Sequence, residues 1–153
     1  MLRTLRKVFL SAGVLFFILL AVEAGAETTV SFFVEEQYDR FGREEVTALL
    51  VEESERALFY VEQGWWSGLN EEDKEEGRDY LKILSYEFEG NIFPILSKTY
   101  GWQWEVTAPN KKIHVLIHQM RGQAGGYFRT VDQYDRLQNP SSNQRQMVYL
   151  NTA

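Results

Sequence analysis

The sequence predicts an α+β domain, a mixed β-sheet packed with one long helix, on three observations. The stretch KIHVLIHQM (Lys112–Met120) alternates Ile113, Val115 and Ile117 against His114, Leu116 and His118, the period of a strand. Between Asn70 and Gly101 the apolar residues Leu81, Leu84, Phe88, Ile92 and Leu96 recur at helical spacing. The segment order is strands, helix, strand, edge segment, strand, which gives a layer of sheet covered by a helix.

Taken in order, TTVSFFVEEQYD (Thr28–Asp39) reads as a strand or extended lead-in, and FGRE turns the chain. VTALLVEESERALFYVEQGWW (Val46–Trp66) fits two patterns. Val46, Leu49, Leu50, Ala57, Val61 and Trp65 nearly make a helical stripe, while ALFYV is rich in aromatic and β-branched residues. Two strands joined near Glu53–Ser54–Glu55 is the preferred reading and a helix the alternative. The long helix opens with Asn70 as N-cap and Glu71, Glu72 and Asp73 in its first turn, where the backbone dipole favours anions. Pro94 is costly inside a helix, so a break is expected at Gly90–Asn91, with Asn91 capping a new turn that ends at Gly101.

WQWEVTAPNKK is expected to be a loop with a turn at Pro109–Asn110, and RGQAGG a flexible loop after the Lys112–Met120 strand. GYFRTVDQYD reads as an edge strand or extended ledge. A polar turn follows at Pro140–Ser141–Ser142, and MVYLN is the last strand. Because no segment follows that strand, a second helix covering the sheet is expected to be missing.

The chain has 153 residues, no cysteine and a formal charge of −6. That suits one domain, excludes disulfides and thiolate chemistry, and argues against a nucleic-acid partner, which would select a basic stripe. Residues 1–26 differ from the rest. Arg3, Arg6 and Lys7 precede an uncharged apolar run from Val8 to Val22, followed by Ala24 and Ala26 two apart. This is the pattern of a signal peptide cleaved after Ala26, and the run is shorter than the roughly 20 residues of a spanning helix. An uncleaved N-terminal anchor is the other reading, and would be the chain's only contact with a membrane. Either way the protein is expected to be exported, whether secreted, periplasmic or cell-surface. The leader holds three of the 16 basic and one of the 22 acidic side chains, so residues 27–153 carry net −8.

Candidate chemistry is sparse. His114 and His118 lie four apart, the spacing of a helical zinc pair. On a strand four residues span about 13 Å, too far for two imidazoles to share one ion, so both are expected to be polar or half-buried strand residues. Glu71–Glu72–Asp73 and Glu75–Glu76 lack the spacing of a calcium loop and read as a solvated helix start. Trp65–Trp66 and Trp102–Trp104 fit a core better than a carbohydrate platform. No G-x-S-x-G, P-loop or G-x-G-x-x-G occurs, and Gly122–Gly126 lies between strands rather than before a helix, against phosphate binding.

The succession IHVLIHQM, GQAGGYFRTVDQYD, SSNQRQMVYLNTA resembles exported zinc metallopeptidases of the zincin type, most closely the hyicolysin-like group, and the resemblance covers most of residues 28–153. It implies the upper N-terminal subdomain of a zincin catalytic domain, incomplete at its C-terminus, and a zinc-dependent endopeptidase acting on peptide or protein substrates. In such enzymes an H-E-x-x-H helix follows the last strand and supplies zinc ligands and the general base. This sequence contains no such motif, so no catalytic residue and no metal ligand is assigned, zinc is expected only in a full-length protein, and the chain alone is expected to be inactive. What carries over is the ledge that pairs with an extended substrate, matched by Gly125, Gly126, Tyr127 and Phe128, the glycines allowing close backbone approach. The alternative function is a complete small exported binding protein with an aromatic contact surface and no catalysis.

Overall fold

A computed structural model describes residues 28–101, 112–122 and 124–152. The expected leader with Ala24 and Ala26, and the turn and aromatic pair expected at Trp102–Asn110, lie outside these residues. The strands are β1 (Thr29–Phe33), β2 (Glu45–Glu53), β3 (Ala57–Glu62), β4 (Ile113–His118), β5 (Gly126–Tyr127) and β6 (Met147–Asn151). They form one mixed sheet in the order β1-β2-β3-β4-β6-β5. β1, β2 and β3 meander antiparallel; β3, β4 and β6 are parallel; β5 returns antiparallel on β6 at the sheet margin. A parallel β3–β4 pair demands a long crossover, and helix supplies it. The architecture is the α+β layer of one sheet and one long helix.

The crossover begins with a short helix, α1 (Gln63–Ser67), inside the stretch read as the end of a strand. The β-branched and aromatic run stops at Glu62, and Trp66 then turns down into the core. Next comes α2 (Glu71–Glu87), whose N-cap Asn70 accepts the Asp73 N–H at 2.9 Å. The expected break at Gly90–Asn91 does not occur. The helix widens into a π-helical segment (Phe88–Ile92) and runs on as α3 (Phe93–Tyr100), with Pro94 in the first turn of that last piece. The wider turn lets the Phe93 N–H bond back to the Phe88 carbonyl, so the proline, which has no N–H to offer, is absorbed without a stop. Asn91 caps nothing; its amide donates to Glu87. Gly101, at φ +83, ends the helix as expected.

Each sheet face has its own core. On one side Leu49, Phe59, Val61, Val115 and Ala57 pack against Trp66 and Leu81 of the helices. On the other Phe32, Val46, Leu58, Tyr60, Leu116, Met147 and Tyr149 are covered by the loops 34–44 and 128–146 rather than by a helix. Alternation along β4 is as read: Ile113, Val115 and Ile117 face the helix, and His114, Leu116 and His118 face the loops. α2 and α1 lie mainly over β2 and β3. Of the helix-side residues of β4 and β6, Ile113, Ile117 and Leu150 are left half-covered and Val148 is exposed. The lead-in at Thr28–Asp39 is strand only to Phe33, because the chain then turns, the Tyr38 and Asp39 N–H groups both bonding the Glu35 carbonyl.

Candidate functional site

The segment Gly125–Phe128 forms the margin of the sheet. Only Gly126 and Tyr127 pair with β6, opposite Leu150 and Tyr149, and the chain then enters a 3₁₀ turn at Thr130–Gln133 instead of a longer ledge. The Asn151 N–H donates to the Gly125 carbonyl at 3.1 Å. Strand alternation therefore turns the Gly126 N–H and carbonyl away from β6, toward the open side. A Cβ on Gly126 would stand 2.5 Å from the Tyr149 carbonyl, so the backbone approach that requires glycine here is that of β6 itself. Around Gly125 there is open space.

Tyr127 does not line the outer edge. Its ring stacks on Tyr149 at 4.4 Å and on Tyr38 at 4.8 Å, and its hydroxyl accepts the Glu35 N–H and lies 3.3 Å from His118 Nε2. Burial pushes the hydroxyl's pKa up. It anchors the margin to the loop-side core. Phe128 is exposed and borders a hollow of about 350 Å³ with Ile113, Gln133, Gln146 and Val148.

A buried polar cluster lies under this margin. Arg43 bridges Asp39 and Glu62 at 2.7 Å each, and the second Glu62 oxygen accepts the Gln119 N–H at 2.9 Å. Burial alone would raise the Asp39 pKa, but hydrogen bonds from the Arg43 side chain and from the N–H groups of Arg43 and Phe41 outweigh it and hold the carboxyl at about 2. His118 is fully buried, its Nδ1 3.5 Å from an Asp39 oxygen but without a hydrogen bond. Burial favours its neutral form and outweighs the pull of Asp39 and Glu62. His114, also buried, stacks flat against Tyr60 at 5.7 Å; burial, assisted by the Arg145 charge, brings it down to about 4. Both histidines are thus core residues rather than half-buried ones. Among the described residues no three His, Asp or Glu side chains converge to hold a metal ion. Trp66 is buried and Trp65 packs on the same cluster, so this pair is core and not a platform.

Asp39, Arg43 and Glu62 were not singled out in the sequence, nor were Arg129, Asp132 and Asn143, which form a second buried polar group with the Tyr149 hydroxyl. The Asp39–Gly42 turn pattern and the SSN triplet were the available signals. No family model and no curated protein matches the chain.

Proposed function

We propose that this chain is the N-terminal part of an exported zinc-dependent endopeptidase and that its own contribution is to hold an extended peptide along β5. The observation that carries this reading is the place of Gly125–Phe128. The segment that resembles the zincin ledge is the antiparallel margin strand, with the Gly126 backbone groups open for a further strand. Main-chain pairing of that kind gives affinity with loose sequence preference.

The half-covered strip of Ile113, Ile117, Val148 and Leu150 beside α2 supports the same reading, since it offers a docking face for a second helix. The described residues do not themselves fit zinc: His114 and His118 are buried in the loop-side core and no third ligand joins them. In this proposal the metal site and the general base come from residues outside the chain, and the chain alone does not cleave peptides.

The test is the native product isolated from its source, examined for mass, zinc and cleavage of unfolded protein with and without a zinc chelator. The expected result is a product larger than 17.9 kDa, near one zinc per chain, with cleavage lost to the chelator and restored by zinc. A zinc-free product that cleaves nothing overturns the proposal.

A further inference from the structure

Beside the start of β5 lies a pocket of about 410 Å³ lined by Arg40, Gln119, Met120, Arg121, Gly122, Asn151 and Thr152. Its two arginines differ from every other arginine described. Arg43, Arg56 and Arg129 pair with carboxylates. Arg78, Arg136 and Arg145 lie over aromatic rings. Arg40 and Arg121 have neither kind of partner among the described residues, and both are exposed. Their backbones are fixed on either side of the Asp39–Met120 bridge, where the Arg40 N–H bonds the Gln119 carbonyl and the Arg121 N–H bonds the Tyr38 carbonyl. The Arg121 guanidinium lies over Gly42, 2.7 Å from where a Cβ would stand. Glu36 approaches the same glycine yet makes no ion pair there.

No acidic residue lines the pocket among the described residues, although the chain carries net −6. Among the described residues the Gln119 amide and the Thr152 hydroxyl have no hydrogen-bond partner, whereas the Asn151 side chain is spent on the Met120 N–H and the Ala124 carbonyl. Two arginines lining one pocket, with the Gln119 amide and the Thr152 hydroxyl beside them, offer the donor set of a carboxylate receptor. Asn151 joins this pocket directly to β5, because its N–H holds the Gly125 carbonyl.

We infer that the Arg40–Arg121 pocket binds a carboxylate of the peptide that lies along β5. The inference names a substrate class for the ledge and to that extent rests on the endopeptidase reading, though the pocket itself does not. Direction follows from topology. A peptide antiparallel to β5 runs parallel to β6 and so delivers its C-terminal half to the Asn151–Thr152 end. The carboxylate belongs to an acidic side chain in that half or to the peptide's own C-terminus.

The experiment is a fluorescence-anisotropy titration of the purified full chain with three short extended peptides: one with a Glu near an amidated C-terminus, its Gln twin, and a Glu-free peptide with a free C-terminus. Arg40→Gln, Arg121→Gln and the double variant are compared with Lys82→Gln, which removes an exposed charge on the far helix. Circular dichroism checks that each is folded. The expected result is that at least one carboxylate peptide binds about tenfold or more tighter than the Gln twin, that added salt erodes the difference, and that the double variant abolishes it while Lys82→Gln does not. Which peptide shows the preference identifies the source of the carboxylate. Equal binding of all three peptides, or a preference that survives the double variant, overturns the inference. N-acetylglutamate, followed by NMR shifts of the Arg40 and Arg121 side chains, separates the two readings. If it binds while no peptide pairs with β5, the pocket stands and the endopeptidase reading fails.

Discussion

The Tyr149 hydroxyl donates to the buried Asp132 carboxylate at 2.6 Å, tying the last strand to the loop that covers its sheet face. The other Asp132 oxygen accepts from Arg129 and from the backbone N–H of Asn143, both at 3.1 Å. Asn143 in turn accepts the Phe33 N–H at 2.8 Å, so the same group of side chains reaches the far strand β1. A loop lies over a sheet only if its polar groups are satisfied, and this network is how residues 128–146 replace a covering helix.

Removing Asp132 should therefore loosen the whole cover. Asp132→Ala leaves the Arg129 guanidinium, nearly buried, with Glu35 as its one carboxylate, and the expected loss is about 3 kcal/mol or more. Tyr149→Phe removes one hydroxyl and leaves Asp132 its other partners, so the loss is smaller, about 1–3 kcal/mol. Urea midpoints of the two variants give the order, and equal midpoints would place the stability elsewhere.

Much of the layer was legible because it depends on local pattern. The alternation of β4, the paired strands around Ser54 and the Asn70 cap all follow from residues within a few positions of one another. The π-helical segment was not, because Pro94 and Gly90 argue for a stop and the alternative, a wider turn, leaves no composition signal. α1 has no side-chain cap, so nothing in QGWWS announced it. Gly126–Tyr127 is a margin strand, as GYF was read, yet Tyr127 turns inward for reasons that lie in Tyr38 and Tyr149. The polar network joins residues more than 100 positions apart, such as Phe33 and Asn143, and no spacing rule reaches that far.

Acid should weaken the fold as the buried histidines are driven to take up protons. The folded protein holds His114 neutral down to about pH 4, whereas the unfolded chain takes up its proton near pH 6.5. Between those values the unfolded state binds more protons, so the contribution is full above pH 6.5 and drains as pH falls toward 4, at up to about 1.4 kcal/mol per unit. His118 is shifted in the same direction by burial and adds to the loss. Asp39, held at about 2, contributes only as pH falls below its ordinary value of 3.8. Urea midpoints measured from pH 7 to 4.5 should decline, and His114→Gln should flatten the decline. A flat profile for the unaltered protein contradicts the neutral burial of both rings.

The two glycines of the ledge should respond differently. Gly126→Ala puts a methyl group 2.5 Å from the Tyr149 carbonyl and must push β5 off β6, at about 1–3 kcal/mol. Gly125→Ala meets open space and should leave stability within about 0.5 kcal/mol. Thermal unfolding compares them, and amide exchange at Tyr127 and Asn151 reports whether the strand has detached. If Gly126→Ala keeps those amides protected, the margin yields more easily than its close contact implies.

The half-covered strip on the helix side should advertise itself in solution. Ile113, Ile117 and Leu150 of the sheet are half-buried, and Val148 together with the helix residues Ile83, Ile95 and Leu96 is exposed. Apolar surface of this kind binds hydrophobic dyes and promotes association. The full chain is expected to raise the fluorescence of such a dye under native conditions and to self-associate as concentration rises. The double variant Ile83→Gln/Val148→Thr replaces two exposed apolar groups, with Val148 38 % accessible, and should lower both signals while shifting the urea midpoint little. Dye binding that persists in this variant, or that appears only on unfolding, would mean that the strip is not the apolar surface that the protein offers its surroundings.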